Sequence, residues 1–386
     1  MSSRRSLFYC ACLGMLTFGI VLTTLGAVLP EMIERFGIDK AQAGSLFLLM
    51  TLGILAGSLV FGPMVDRYGY KEMLLIATAL ITLGLEGIAF APSIGVLRIA
   101  IILTGFGGGI VNGGTNALVA DISSEGISAG LNLLGVFFGI GAVGVPFALG
   151  TLSEGTPSSV LIAAVGASVL VPFLFIAFTP FPAPKHPQGF PLARAGKLIR
   201  DPVLLLMGFM LFLESGMEIS VGGWTSTFVN EELAVPPRAA LIILSLYWMG
   251  MMLARLGLGT VWKNVPQIRV LVICLSIGLI ASITLLVTRN AAIASAGVFM
   301  LGVGFAATFP AMLGFVGQRY AELSGTAFSL VIAIALCGGM LLPWLAGVIG
   351  GSYGMRASFV IVPAAIIAFA ALLGILSRTL RTAPTA

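Results

Sequence analysis

Charged residues are scarce in this sequence. Asp, Glu, Lys and Arg together make up 9% of its 386 residues, whereas hydrophobic residues make up 58%. A soluble domain carries about 25% charged residues, which its surface needs. A chain with so little charge must present its surface to lipid, and this excludes a water-soluble globular protein.

Histidine and cysteine are also few. The single histidine, His186, lies in a Pro-rich polar stretch, and the four cysteines (Cys10, Cys12, Cys274 and Cys337) lie in apolar stretches without ligand residues beside them. Such cysteines behave as small buried hydrophobes, so we predict no metal site. The phosphate-binding pattern G-x-x-x-x-G-K-[ST] is missing too, which argues against ATP as the energy source. No enzymatic activity is expected.

Long apolar runs dominate what is present. A membrane-spanning helix needs roughly 20 apolar residues, and the runs lack the alternation of a transmembrane barrel. The sequence therefore predicts an all-α membrane protein with twelve transmembrane helices. The predicted spans are 7–30, 43–65, 73–91, 96–120, 127–150, 158–180, 203–229, 238–262, 268–288, 291–317, 324–349 and 355–377.

The longest polar interruption divides the spans six and six. It predicts an N-terminal bundle at 1–180, a cytoplasmic linker at 181–201 and a C-terminal bundle at 202–386. One offset of 197 residues also relates small and polar positions of the two halves: Gly62 to Gly259, Asp66 to Lys263, Gly105 to Gly302, Gly107 to Gly304, Asn132 to Ser329 and Pro146 to Pro343. The alternative is chance agreement between Gly-rich helices. A true repeat predicts two pseudo-symmetric bundles with a substrate site between them.

Basic residues predict the orientation. About thirteen of them fall on the side of the chain termini and six on the other side, which places both termini in the cytoplasm. The first apolar run continues to about Pro30, too long for a signal peptide. We therefore expect a multi-pass monomer in a bacterial inner membrane. The net charge of +5 reflects this orientation, so no nucleic-acid partner is expected.

A charged motif separates the second and third spans. The residues Gly62-Pro-Met-Val-Asp66-Arg67-Tyr-Gly69-Tyr-Lys71 resemble the cytoplasmic signature of the major facilitator superfamily, G-x-x-x-D-R-x-G-R-[RK], with a tyrosine at the position where arginine is commonest. The resemblance implies the major facilitator fold and a latch that stabilises the outward-open state. Gly62, Asp66, Arg67, Gly69 and Lys71 are the expected gating residues. The alternative is an ordinary charged turn.

Four shorter stretches resemble the fucose–galactose–glucose symporter family. They are 112–116, 131–142, 218–224 and 254–259. The resemblance implies cation-coupled uptake of a monosaccharide by alternating access. Acidic positions of the fucose–proton symporters correspond here to Gly26 and Asn112, and two sugar-contacting positions correspond to Gly135 and Phe138. Neither fucose nor the proton site of that family carries over to this chain.

Two glutamates lie inside the seventh span. Glu214 and Glu218 are four residues apart, so they share a helix face. An ionisable residue costs about 2.5–3.5 kcal/mol in the membrane interior, which makes both functional candidates. Repulsion and desolvation favour protonation of one of them; ionised together, they could hold Na⁺ instead. Our hypothesis is that Glu218 couples ion to substrate and Glu214 assists. The alternative is a structural tie to Arg255 or to the eleventh span. We expect Arg255 to organise the inner gate by pairing.

Neutral polar and aromatic residues complete the predicted substrate site. Asn112 and Asn116 share one helix face and suit a hydroxyl-rich ligand, or they hold helices together. Trp224 and Tyr247 could stack on a sugar face, although packing is the alternative. With Glu218, these four are the predicted substrate-binding residues.

The predicted function is H⁺- or Na⁺-coupled symport of a monosaccharide or similar polar solute, with no cofactor beyond the coupling ion. The alternative is a proton-coupled exporter of drugs or metabolites, because Gly141–Pro146 followed by Gly150 resembles the antiporter Gly-Pro signature, one residue off in spacing. A cavity ringed by Asn and Glu favours the symporter, whereas an apolar, aromatic cavity favours the exporter. A non-transporting receptor would need an appended soluble domain.

Overall fold

The computed structural model describes residues 4–122, 127–182, 200–260, 265–320 and 324–382, which are helical and contain no strand. The helices are α1 (Arg4–Phe36), α2 (Lys40–Tyr68), α3 (Tyr70–Phe90), α4 (Ile94–Ile122), α5 (Ile127–Leu152), α6 (Ser158–Ser168), α7 (Leu170–Phe178), α8 (Pro202–Leu233), α9 (Pro237–Thr260), α10 (Gln267–Val287), α11 (Ala291–Phe305), α12 (Thr308–Arg319), α13 (Ser324–Tyr353), α14 (Met355–Ser358) and α15 (Ile361–Thr382).

These helices form twelve segments long and apolar enough to cross a membrane, as the sequence predicts. Three of the segments consist of two helical pieces, namely α6 with α7, α11 with α12, and α14 with α15. Most of the predicted linker, residues 183–199, lies outside the described residues, as do His186 and Lys263. The domain boundaries drawn from the sequence therefore stay predictions.

Several helices extend beyond their apolar runs because polar residues stabilise the ends. α1 continues to Phe36, since Arg35 donates to the main-chain carbonyls of Ala89 (3.1 Å) and Ala91 (2.8 Å). Asp39 begins α2 with a capping box, in which its side chain accepts from the amide of Gln42. Such caps satisfy amides that the helix itself leaves without partners.

The two halves repeat the same helix contacts with the offset of 197 residues. Gly105 of α4 packs against the main-chain carbonyl of Met50, and Gly302 of α11 packs against that of Tyr247, with no room for a side chain in either place. Three further glycine pairs are related by the same offset and pack on equivalent or neighbouring positions: Gly53 with Gly250, Gly107 with Gly304, and Gly141 with Gly338. Chance agreement between Gly-rich helices would not reproduce specific contacts, so the repeat is structural.

The halves meet at the distal end, which we define as the end where α1 and α8 finish and α2 and α9 begin. Lys40 pairs with Glu231 at 2.6 Å, and Ser226 donates to the main-chain carbonyl of Gly26 at 3.0 Å. Further towards the opposite, terminal end, α5 and α9 touch at Gly139, which packs against Met252.

One turn further towards the terminal end, at Gly135, no atom lies within 4 Å of the place where a side chain would begin. The bundle is thus closed at its distal end, and a narrow cleft lies between α5 and α9 beside Gly135 and Arg255.

Candidate functional site

The two glutamates of α8 lie away from the distal contact between the halves. Glu214 is 2% exposed, and the side chain of Glu218 is 14% exposed. Their carboxyl groups are close enough to share a hydrogen bond, as the four-residue spacing predicts. Carboxyl groups can share such a bond only when one of them carries a proton. The role of the pair in ion coupling stays a prediction.

Arg255 of α9 faces this pair. Its Nη2 lies 3.7 Å from Glu218 Oε2, so the expected pairing is present, and its role in gating stays a prediction. The Nε of Arg255 donates to the main-chain carbonyl of Ala306 at 3.3 Å. The arginine is thus held by the backbone on one edge and faces a carboxylate with the other.

Pro310 explains why the carbonyl of Ala306 is free to accept this bond. In an α-helix that carbonyl would accept from the amide four residues on, and proline has no N–H to donate. The helix is interrupted here, between the end of α11 at Phe305 and the start of α12 at Thr308. In the first half, Ser58 donates to the carbonyl of Gly109 at 3.4 Å. By the offset of 197 residues, Ser58 corresponds to Arg255 and Gly109 to Ala306. The two halves therefore form a side-chain hydrogen bond to the main-chain carbonyl at equivalent positions.

Thr308 is a site residue that the sequence analysis missed. Its Oγ1 lies 3.2 Å from Glu214 Oε1 and 2.7 Å from the carbonyl oxygen of Phe305. A hydroxyl has a single hydrogen, which Thr308 can direct to either acceptor. The contact with Glu214 places Thr308 in the carboxyl cluster. Pro310 was the available signal, because the helix is interrupted just before Thr308.

Tyr247 lies beside the carboxyl pair. Its ring is fully buried and packs edge-on against Trp248, with ring centroids 4.9 Å apart, and against Phe305 at 6.3 Å. Within the described residues its hydroxyl has no hydrogen-bond partner. Buried polar groups nearly always have one, so Tyr247 offers a donor to a ligand or water at this position.

Trp224 lies in the closed distal end. It is fully buried, its Nε1 donates to the main-chain carbonyl of Pro343 at 2.9 Å, and its ring lies 6.0 Å from that of Phe47 in the other half. In this conformation Trp224 packs between the halves, and stacking on a substrate would require the distal end to open. The predicted contact of Trp224 with substrate therefore stays a prediction for a conformation in which the distal end is open.

Asn112 and Asn116 lie on one face of α4, as predicted, and both are partly exposed. The Nδ2 of Asn116 donates to the main-chain carbonyl of Asn112 at 2.8 Å and to its Oδ1 at 3.2 Å. Among the described residues, neither asparagine bonds Glu214 or Glu218. The structure thus places the predicted substrate ligands in two groups, the asparagines in one half and the carboxyl cluster in the other.

The charged motif forms the turn from α2 to α3. Gly69 has a φ of +87°, a left-handed conformation that favours glycine. Arg67 stacks on Tyr68, with its Cζ 5.2 Å from the ring centroid. Tyr70, at the position where the signature usually has arginine, donates from its hydroxyl to Asp121 Oδ2 at 2.8 Å.

The remaining gating candidates are less informative. Gly62 lies in the last turns of α2, with no atom within 4 Å of the place for a side chain, and Lys71 lies in the first turn of α3. The side chain of Asp66 lies outside the described part of the chain. The gating role of the whole motif stays a prediction.

Gly26 corresponds to an acidic position of the fucose–proton symporters, and the structure shows why a glycine is present here. The backbone of Gly26 packs directly on Gly222 and Gly223 of α8. A carboxylate side chain at this position would prevent the distal contact between α1 and α8. The close contact thus accounts for glycine at this position, and the ion-coupling role of the α8 carboxyl pair stays a prediction.

Two repeats of six spans, in contact at the distal end and with a carboxyl cluster buried away from that contact, are consistent with a membrane transport protein. The sequence profile of the Major Facilitator Superfamily matches residues 11–332. The chain belongs to this superfamily and is one of its transporters. The narrower resemblance to fucose–galactose–glucose symporters stays a prediction.

Individual relatives are distant. The chain is 25% identical to Bypass of stop codon protein 6 of Saccharomyces cerevisiae, over 90% of this chain and 77% of the yeast protein. It is 23% identical to Sodium-dependent glucose transporter 1A of Mus musculus, over 89% of each chain. Its fold resembles the crystal structure of a point mutant of the nucleoside transporter NupG, with a TM-score of 0.80 at 15% identity, over 97% of this chain and 99% of the other.

Proposed function

We propose that this protein is a cation-coupled symporter for a monosaccharide or similar polar organic solute. The observation that carries the proposal is the cluster of Glu214, Glu218 and Arg255, buried away from the distal contact between the halves. Ionisable groups at this depth are costly, and here three of them converge from two helices. Such a cluster provides a binding site whose charge changes when a cation is taken up or released.

The geometry favours H⁺ as the coupling ion. With one proton, the two carboxyl groups share a hydrogen bond and Arg255 balances the remaining negative charge. Loss of that proton leaves two carboxylates against one guanidinium, so Arg255 is drawn more strongly to Glu218. Movement of Arg255 would pull on Ala306, where α11 and α12 meet, and so link protonation to the shape of the C-terminal half. The mouse relative is named a sodium-dependent glucose transporter, which supports Na⁺ as the alternative coupling ion.

Two observations support a polar solute. Tyr247 contributes a hydroxyl for which the described residues provide no partner, and Asn112 and Asn116 contribute amide groups on a partly exposed face of α4. Such neutral donors and acceptors suit hydroxyl-rich ligands. The mouse relative, named a glucose transporter, supports a sugar as the solute class.

The orientation of the protein in the membrane is also part of the proposal. We place both termini in the cytoplasm of a bacterial inner membrane, on the excess of basic residues at the terminal end. The closed distal end would then face outwards, and this structure would be the inward-facing state. This orientation is tested with two separate C-terminal fusions, one to a fluorescent protein and one to a phosphatase. We expect the first fusion to be fluorescent and the second to lack phosphatase activity. The reverse result would place the C-terminus outside.

Uptake into proteoliposomes tests the function. A panel of hexoses and 6-deoxyhexoses is offered under a H⁺ gradient and, separately, under a Na⁺ gradient. We expect accumulation of at least one sugar under the H⁺ gradient. Accumulation under Na⁺ alone would reassign the ion, and no accumulation under either gradient would refute the sugar symporter.

The second candidate function is proton-coupled export of an apolar compound. The narrow part of the cleft near Arg255 favours it, because its lining is largely apolar and aromatic, with Phe138, Trp248, Met251 and Met252. Proton-driven efflux of hydrophobic dyes, in the absence of sugar uptake, would support this candidate.

A further inference from the structure

A groove of ≈320 Å³ runs between α10 and α15, away from the carboxyl cluster. Its walls include Val272 and Ser276 of α10 and Ile367 and Gly374 of α15. Val272 is 51% and Ile367 57% exposed, so the groove opens on the lipid-facing surface. At Gly374 no atom lies within 4 Å of the place for a side chain, so the absence of a side chain there leaves the groove open.

The polar atoms in the groove are already bonded within their own helices. Ser276 donates to the main-chain carbonyl of Val272 at 2.8 Å, and Ser377 donates to that of Gly374 at 2.9 Å. The hydroxyl hydrogens are therefore used, and the surface offered to a ligand is effectively apolar. An acyl chain fits such a surface better than a polar solute does.

Two arginines lie at the terminal end of the groove. Arg269 is one turn before Val272 and Ser276 on the same face of α10, and Arg378 is one turn beyond Gly374 on α15. Both side chains are exposed. Arg269 is in the first turn of α10, where the helix dipole adds further attraction for an anion. The groove thus combines an apolar slot with a positively charged end, at the level where lipid headgroups lie.

The first half of the chain provides an internal comparison. By the offset of 197 residues, Arg269 corresponds to Glu72 and Arg378 to Phe181, while Ile268, in the groove wall, corresponds to Lys71. The charges of Lys71 and Glu72 cancel. The pair of arginines is therefore a feature of the second half and not a consequence of the repeat.

We propose that this groove is a binding site for an anionic phospholipid of the surrounding bilayer, with an acyl chain between α10 and α15 and the phosphate at Arg269 and Arg378. The site lies in the leaflet at the terminal end of the bundle. It is independent of the transported solute, because α10 and α15 do not contribute to the carboxyl cluster.

Native mass spectrometry of the full chain in detergent tests the proposal. Phosphatidylglycerol and phosphatidylcholine with identical acyl chains are titrated separately. A basic residue near the membrane surface contributes about 1 kcal/mol to the binding of anionic lipid, so we expect tighter binding of phosphatidylglycerol, on the order of tenfold. The double variant R269Q/R378Q should bind the two lipids alike. The matched control R5Q/R319Q removes two exposed arginines at the same end and should keep the preference.

Variants that fill the slot test the acyl chain separately. Gly374→Leu and Ser276→Leu keep both arginines and should weaken binding of both lipids. Water-soluble glycerol 3-phosphate, which offers the headgroup without a chain, should not displace phosphatidylglycerol. Equal binding of the two lipids by the unmodified protein, or an unchanged preference in R269Q/R378Q, would overturn the proposal. Full displacement by glycerol 3-phosphate, or unchanged binding in both slot-filling variants, would also overturn it.

Discussion

Arg255 and Ala306 are joined by a hydrogen bond from the guanidinium Nε to the main-chain carbonyl, at 3.3 Å. That carbonyl lacks its helical donor, because residue 310 is a proline. The bond fixes one edge of the guanidinium and leaves Nη2 near Glu218. The carboxyl cluster is therefore attached to the point where α11 ends and α12 begins.

The first prediction concerns the fork of Arg255. Arg255→Lys keeps the charge, but a single ammonium on a flexible stem cannot replace the planar fork that reaches Ala306 and Glu218 together. We expect a loss of gradient-driven transport on the order of tenfold, measured as the initial rate in proteoliposomes. Arg98→Lys, the same change at an exposed arginine in the first turns of α4, serves as the control. A rate within about twofold of the unmodified protein for Arg255→Lys would contradict the account.

Thr308 allows a test of the proton on Glu214. Thr308→Val keeps the shape but removes the hydroxyl that contacts Glu214, whereas Thr308→Ser keeps it. A net hydrogen bond contributes about 1 kcal/mol, so Thr308→Val should move the pH at half-maximal transport by somewhat less than one pH unit. Thr308→Ser should leave the pH profile in place. Equal pH profiles in the two variants would remove Thr308 from the site.

The close contacts of the repeat predict a stability effect. Gly302→Ala places a methyl group against the carbonyl of Tyr247, and overpacking of this kind costs about 1–3 kcal/mol. Gly135→Ala, in open space, should leave stability within about 0.5 kcal/mol. Thermal unfolding of the purified variants in detergent measures both. An unfolding temperature of Gly302→Ala equal to that of Gly135→Ala would contradict the packing described for the second half.

Tyr320 predicts a pH dependence at the junction of α8 and α12. Its hydroxyl donates to Asp201 Oδ2 at 2.8 Å, and burial, together with this bond, raises the pKa of Tyr320 to about 12. The unfolded tyrosine ionises near pH ~10. Its contribution is therefore fully present at neutral pH and is lost as the pH rises from about 10 towards 12.

Tyr320→Phe should accordingly lower stability by about 1 kcal/mol, and by the same amount from about pH 7 to about pH 9. Above about pH 10 the difference from the unmodified protein should shrink, because the unfolded tyrosine then releases its proton. Thermal unfolding across this pH series is the measurement. A difference that changes between about pH 7 and about pH 9 would show that the ionisation lies elsewhere.

The twelve spans were predictable because apolar runs separated by charges determine membrane helices almost alone. The ends of the spans were harder to predict. α1 extends to Phe36 because Arg35 binds carbonyls at the end of α3, a contact between residues more than fifty positions apart. The interruption between α11 and α12 was visible only as Pro310, which the apolar pattern does not register.

The residues of the candidate site were likewise only partly predictable from the sequence. Glu214, Glu218 and Arg255 stand out in the sequence because ionisable residues are rare inside apolar runs. Thr308 and the carbonyl of Ala306 could not be found by this criterion, since neither is charged and both act across helices. The role of Trp224 depends on whether the distal end is open, which is a property of the conformation and not of the residue type.

The most direct test of the central claim compares two modes of transport in Glu218→Gln. With solute on both sides of the membrane, exchange needs no net movement of a coupling ion. With an imposed H⁺ gradient, accumulation needs it. The account predicts that Glu218→Gln retains solute exchange and loses gradient-driven accumulation. Accumulation at the unmodified level in Glu218→Gln would contradict the assignment of Glu218 as the residue that couples cation to solute.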